Sequence, residues 1–341
     1  MMPIIQIKKT AVRIAQRYVP RHFYKRARKW QFAAQAAVAA KRWPSLLERG
    51  HEPHTPFLPS QRWVFRKGAS QGRSQTIPRQ IWLFWETLPA PAFIEACYRD
   101  IERKNPHFTV TLLNSRNVAS FVPEFDAWPE DMLPQHKANL LRLYLVFRYG
   151  GIWLDSSIIL GESLDWVIEW QEEQKLDFIG FHNDRISRSE DEPTIENWFL
   201  AAPPGNQFLR SWIDYLSEQA GSGADACYRE LIKREEVRRA AERVPNPRLR
   251  VAYLACAAAL YDCKNARMGL VRVRDEAFAI VEERSSNDWD IAINWLVRAA
   301  PGGRWPVLSK LTQKDRGIVE AYLERGLYQS ASLIGQVVDQ D

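Results

Sequence analysis

The sequence predicts an α/β fold that finishes in a mostly helical C-terminal part. Three observations predict it. Short apolar runs bounded by turn residues alternate with helix-period segments from Ile81 to Gln219. Beyond Asp225 the pattern is helical almost throughout. Between these regions, Arg148-Tyr149-Gly150-Gly151-Ile152-Trp153-Leu154-Asp155-Ser156-Ser157 runs from a helix through two glycines into an apolar strand that ends on a carboxylate and two hydroxyls. In α/β proteins ligands sit in the crevice outside the carboxyl ends of strands, which makes Asp155 the leading site candidate.

Taken in order, residues 4–18 place Ile4, Ile7, Ala11, Ile14 and Tyr18 on one helical stripe, with Lys9, Arg13 and Arg17 opposite and Lys8 as an exception within the apolar side. Pro20 stops this helix, and Arg21, Lys25, Arg26, Arg28 and Lys29 precede an alanine-rich run. A basic amphipathic arm over residues 1–50 suits either an anionic membrane surface or packing on the protein itself. Residues 52–78, with Pro53, Pro56 and Pro59 and a Gly/Ser-rich stretch, read as loop, giving a linker over 51–76 and a catalytic domain over 77–330. Ile81 to Trp85 is a buried strand, Phe93 to Lys104 a helix and Phe108 to Leu113 a strand. Arg116 to Phe121 is a short helix and His136 to Tyr149 a longer one. Ile152–Leu154 and Ile158–Leu160 read as one strand broken around Asp155. Strands follow at Asp177–Phe181 and Asn197–Ala201, then helices at Phe208–Gln219, Asp225–Glu242, Arg250–Tyr261, Asp290–Arg298 and Lys314–Arg325.

The 341 residues carry a net charge of +6, but the charge is divided unevenly. Residues 1–50 hold twelve Lys/Arg and one acid, Glu48, whereas the remainder holds 35 basic and 40 acidic residues. The basicity belongs to the arm and not to a folded face, which argues against nucleic acid as a partner. The four cysteines form no CxxC pair and no zinc-spaced cluster, so reduced thiols and a cytoplasmic location are expected. No apolar run is long enough to span a bilayer, and none near the start suits a signal peptide. The arm places the chain peripherally on the inner face of the membrane, if it binds there.

Asp155 has two readings. It can hold Mg²⁺ or Mn²⁺ against a diphosphate, with Ser157 as a second oxygen ligand on the same face of an extended segment. It can also simply cap a turn. Arg142, on an otherwise apolar helix, needs a partner, either a carboxylate such as Asp155 or a diphosphate. Trp82 and Trp85 suit base stacking or the core; the fourteen Trp of the chain mostly fit the second role. His182, Asn183, Asp184 and the run Glu196-Asn197-Trp198 sit at strand ends, where they serve sugar hydroxyls or form solvated loop. Asp184, Glu196 and Asp290 are the general-base candidates.

These blocks have a recognisable order. Ile77-Pro78-Arg79-Gln80-Ile81-Trp82 with Trp85, His136-Lys137-Ala138-Asn139-Leu140-Leu141-Arg142 and Tyr149 to Ser157 resemble the bacterial capsular polysaccharide synthesis glycosyltransferases. These are relatives of the DXD-containing mannosyl- and galactosyltransferases. The likeness continues through Ile179-Gly180-Phe181, Glu196 to Ala202 and Pro306 to Arg316, covering about residues 77–325. It implies a GT-A-like nucleotide-sugar-binding fold and a hexosyltransferase that uses a nucleotide-diphosphate donor, a glycan or lipid-linked acceptor and a divalent metal (Mn²⁺ or Mg²⁺). By position it implies Asp155 and Arg142 as catalytic, Asp155 with Ser157 as metal ligands, and Trp82, Trp85, Asn139, Gly150, Gly151, Ser157, Asn197 and Trp198 at the donor. Two positions depart from the pattern: Ser157 stands where the DXD group has its second acid, and Asn139 where an acid commonly precedes the arginine. They keep open a non-catalytic alternative, a glycan- or nucleotide-sugar-binding scaffold of a polysaccharide assembly complex.

Overall fold

The computed structural model describes residues 21–50, 57, 61–68, 75–282 and 288–339. The amphipathic stripe expected over 4–18 lies outside the described residues. In chain order, α1 (Arg21–Lys41) and α2 (Trp43–Gly50) lead to β1 (Arg62–Lys67), β2 (Gln80–Phe84), α3 (Ala92–Lys104) and β3 (Thr109–Leu113). Then come α4 (Pro134–Tyr149), β4 (Gly151–Leu154), β5 (Ile158–Leu160), α5 (Asp165–Gln174), β6 (Phe178–His182) and β7 (Ile195–Ala202). Helices α6 (Gln207–Ser222), α7 (Ala224–Leu231), α8 (Glu235–Ala241) and α9 (Val251–Asp262) precede β8 (Ala266–Arg272), α10 (Asp288–Leu296), β9 (Leu308–Lys310) and α11 (Gln313–Leu323).

The chain divides into two compact units, one of residues 56–282 with 304–310, the other of residues 1–55, 283–303 and 311–341. Residues 283–303 and 311–330, grouped by sequence with the catalytic domain, fall in the second of these units. In the first unit a seven-stranded sheet has the order β1-β8-β6-β7-β4-β2-β3. Five strands run one way, and only β1 and β7 oppose them. Side-chain alternation sorts the sheet's two faces. Trp82, Trp153 and Leu200 join Leu141 of α4, Trp212 of α6 and Ala255 of α9 on one face. Ile81, Leu83, Ile152, Leu154 and Ile179 join Ile101 of α3 and Val167 of α5 on the other.

Four strands, β1, β5, β8 and β9, differ from the sequence reading. Arg62–Lys67, expected as linker, pairs antiparallel with β8, itself unforeseen in the helical finish. The strand thought to be broken around Asp155 is two strands in different sheets: β4 belongs to the large sheet, whereas β5 pairs antiparallel with β9. The helix expected over 225–242 is also two, α7 and α8.

The direction of β7 positions the site. Because β7 runs against β4, its first residues, Glu196 to Trp198, arrive at the edge where β4 ends on Asp155. The Asp155 N–H donates to Trp198 O at 3.0 Å, closing that corner. At the other end of β4, Gly150 (φ 67°) and Gly151 (φ 93°) stop α4 and start the strand. A Cβ on Gly151 would stand 2.5 Å from Gln80 O, so close approach of β2 requires glycine there. Gly151→Ala is therefore expected to lower stability by about 2–4 kcal/mol, combining strained backbone with overpacking; a urea midpoint equal to wild type would show that β2 can yield.

In the second unit, Phe32, Ala36 and Ala39 of α1 are buried, and Phe32 fills the space left by Gly317 of α11. Thr312 and Asp315 cap α11 reciprocally through side chain and backbone. Arg49 of α2 pairs with Asp290 of α10 at 2.8 Å. None of the described helices is long and apolar enough to cross a membrane.

Candidate active site

The carboxyl edge of the large sheet gathers one carboxylate and two cations in the first unit. Asp155 Oδ1 accepts from Trp153 Nε1 at 3.2 Å and lies 3.3 Å from an Arg142 terminal nitrogen. Its Oδ2 accepts from Lys310 Nζ at 2.6 Å. Burial opposes the Asp155 charge, but Lys310 and Arg142, together with hydrogen bonds from Lys310 and Trp153, outweigh it and hold the carboxyl below its usual range.

Arg142 is buried because α4 is apolar around it, with Leu140, Leu141, Leu143, Leu145 and Val146 all inside. Its Nε donates to Ala138 O at 2.9 Å and one terminal nitrogen to Asn197 O at 2.6 Å. The guanidinium lies 5.2 Å from the centre of the Trp153 ring. Burial lowers its pKa, and the charge of Asp155 acts the other way. Asn197 Nδ2 donates to Asn139 Oδ1 at 3.0 Å, which ties the start of β7 to α4.

A second polar group lies at the same edge. Glu196, 3 % exposed, accepts from Asn183 Nδ2 at 2.8 Å and from the Tyr253 hydroxyl. Burial, then the Glu196 charge and its hydrogen bond, push the Tyr253 phenol well above its usual value, so it remains a donor. His182 is buried beside Trp63, and burial pulls it down to about 4, leaving it neutral near pH 7.

The structure brings Asp155, Arg142, Asn139 and Asn197 together, and Trp198 contributes its carbonyl. The Trp198 ring packs in the core against Phe181, at 4.9 Å between centroids. Ser157, two residues after Asp155, is buried, and Ser156 donates to Phe84 O at 2.8 Å. Trp85 follows β2 at the carboxyl edge, half-buried, with its Nε1 on Thr87 Oγ1. Trp82 is core: its indole donates to Gly150 O at 2.9 Å and its ring meets Phe121. Gly150 and Gly151 stand at the opposite end of β4, roughly 13 Å of strand from Asp155; their work is the turn and the close approach of β2. Among the general-base candidates, Glu196 lies at the site's edge, Asp184 is paired with Arg274 at 2.9 Å, and Asp290 belongs to the second unit.

Lys310 and Tyr253 were missed as site residues. Lys310 stands in the Pro306 to Arg316 stretch of the likeness with no role assigned to it, and the pairing of β5 with β9 carries it to Asp155. Tyr253 is one polar tip on an otherwise apolar helix, the same signal that picked out Arg142.

Comparison with known proteins adds the family. The capsular polysaccharide synthesis protein family matches residues 65–222, a span that contains Arg142, Asp155 and the start of β7. The chain is also similar to two curated fungal proteins. One is the glycosyltransferase afumC of Aspergillus fumigatus, 27 % identical over 168 residues, covering 44 % of this chain and 42 % of that protein. The other is the O-glycosyltransferase braB of Annulohypoxylon truncatum, 29 % identical over 165 residues, covering 42 % of this chain and 38 % of that protein. The chain thus spans about two fifths of the length of these curated relatives. A solved structure of the PaToxG glycosyltransferase aligns with 71 % of this chain and 99 % of its own, at 12 % identity and a TM-score of 0.32, too low to establish a common fold. Lys310 lies outside the family segment.

Proposed function

We propose that this protein is a hexosyltransferase that moves a sugar from a nucleotide-diphosphate donor to a glycan or lipid-linked acceptor in the assembly of surface polysaccharide. The observation that carries this reading is the pair of cations, Arg142 and Lys310, flanking one carboxylate at the carboxyl edge of the sheet. Such an edge is where α/β proteins bind their ligands, and a departing diphosphate needs positive charge. The family match and the names of the two fungal relatives point the same way. Asn139 and Asn197 supply amide edges suited to a base, ribose or sugar hydroxyl, and Trp85 offers a half-exposed ring.

A divalent metal fits the residues poorly. Asp155 is a lone carboxylate, with one oxygen held by Lys310 and the other shared by Trp153 and Arg142. No group of three or more His, Cys, Asp or Glu placed to hold a metal occurs among the described residues. A cation at Asp155 has to displace an ammonium 2.6 Å away. An acceptor hydroxyl must lose a proton, and Glu196 is a carboxylate at this edge with no ion pair among the described residues.

The basic N-terminal segment suits an anionic membrane surface on the cytoplasmic side, with Arg26, Lys29, Trp30, Lys41 and Arg42 exposed on α1 and just beyond it. Because α1 also packs within its own unit, replacing Lys and Arg by Gln tests this role more cleanly than deleting residues 1–50.

The test is release of nucleoside diphosphate from a panel of UDP- and GDP-sugars by the full chain, with and without a lipid-linked acceptor. At least one donor is expected to turn over. Tight binding of a donor without turnover favours the scaffold alternative, and neither binding nor turnover across the panel sinks both readings.

A further inference from the structure

We infer that Lys310 is the group that neutralises the departing diphosphate, and that Asp155 is a positioning residue holding it in place. This inference rests on the nucleotide-sugar reading above. Two features carry it: the placement of Lys310 and its unused donors.

Placement comes from backbone pairing. Asp155 O accepts from the Ile158 N–H at 2.9 Å, a tight turn that starts β5 three residues after the carboxylate. Ile158 is then the register partner of Lys310, while Ser309 and Leu308 pair with Ile159 and Leu160. The Lys310 N–H also donates to Ala277 O at 2.8 Å. Leu308 and Ser309 are fully buried, so β9 is anchored and its last residue is delivered to one spot. A flexible lysine held at both backbone and ammonium has little rotamer freedom left to lose on meeting a ligand.

The two cations differ in what they have left to offer. The Arg142 side chain is 6 % exposed and already directs nitrogens to Ala138 O, Asn197 O and Asp155. The Lys310 side chain is 15 % exposed, and Asp155 is its only hydrogen-bond partner among the described residues. An ammonium has three donors, so two remain for phosphate oxygens. Arg142 and Lys310 place two positive charges beside Asp155, and Glu196 at the same edge also acts on Arg142, so the spot is complementary to an anion through the free donors of Lys310.

In the transfer step the sugar C1–O bond to the diphosphate breaks and its electron pair stays on the phosphate oxygen. A new C1–O bond forms to the acceptor hydroxyl, whose proton passes to a carboxylate or to solvent. Lys310 keeps its protons and meets the charge that accumulates on the leaving phosphate, an effect specific to the transition state.

The test compares full-length wild type, Lys310→Met and Lys310→Arg, using donor turnover and calorimetric binding of UDP and GDP in EDTA. Wild type is expected to turn over in EDTA within about twofold of its rate with Mn²⁺. Lys310→Met is expected to lose about 100-fold in kcat, the usual effect of removing a charge-stabilising donor, with a smaller change in KM and a still cooperative thermal transition at a lowered midpoint, because Asp155 loses a partner. Lys310→Arg should recover part of the loss. Loss of wild-type turnover in EDTA with recovery in Mn²⁺ overturns the inference, and so does a folded Lys310→Met with wild-type kcat. If Lys310→Met does not fold, the EDTA arm on wild type and the Lys310→Arg rate still decide it. A wild type that neither binds UDP or GDP nor consumes any donor fails the functional reading itself, a result distinct from an active enzyme indifferent to residue 310.

Discussion

Replacing Asp155 by Asn is expected to lower donor turnover by about 100-fold or more and to cost about 2–3 kcal/mol of stability. The substitution keeps the shape and removes the charge, leaving Lys310 without its anchor and buried Arg142 without its carboxylate. Stripping a fully buried pair of one partner costs about 3–5 kcal/mol; Asp155 keeps 26 % of its side-chain surface, which moderates the penalty. A pH signature separates this charge effect from a packing effect. The folded-state carboxyl is held below its usual range, so the stabilisation is complete above the unfolded value of about 4 and is lost as pH falls through the folded one. Wild type should therefore show an acid limb in its pH–Tm curve that is flattened in Asp155→Asn. Superimposable acid limbs would mean that Asp155 contributes no net charge energy to the fold.

The sequence revealed what depends on neighbours along the chain and concealed what depends on pairing. The helix ending at Gly150, the strand after it and the carboxylate at that strand's end are all consecutive, and apolar spacing with two glycines was enough to find them. Arg142 stood out because a lone charge on an apolar helix face demands a partner, and the structure supplies Asp155 and Asn197 O. Edge strand β1 was hidden because Arg62, Arg66 and Lys67 give it the look of a solvated segment. Strand β8 follows an apolar helix directly, so its apolar residues extend a helical reading. Three-residue β9 has no pattern of its own: it exists because β5 is there to pair with it. Lys310 therefore reaches the site through the least legible element of the fold. Trp82 erred in the other direction, since a Trp near a strand end looks like a stacking platform until its indole is found donating to Gly150 O inside the core.

A double-mutant cycle on Arg142 and Asp155 should show strong coupling in stability and a different pattern in rate. Arg142→Met removes the buried cation but leaves Asp155 held by Lys310 and Trp153, while Asn197 O loses its donor. The expected loss is about 2 kcal/mol, mainly for the unsatisfied carbonyl and the missing ring contact with Trp153. The double variant should be destabilised by less than the sum, with a coupling energy of about 1–2 kcal/mol, because Asp155→Asn alone strands a buried charge that Arg142→Met removes. Turnover should not follow the same rule. If Lys310 meets the diphosphate and Arg142 braces the carboxylate, Arg142→Met should lose about tenfold in kcat while Asp155→Asn loses far more. The double variant, with Lys310 still unanchored, should then be no faster than Asp155→Asn despite its recovered stability. Equal kcat losses in the two single variants would instead place Arg142 beside Lys310 on the leaving group and divide the role between them.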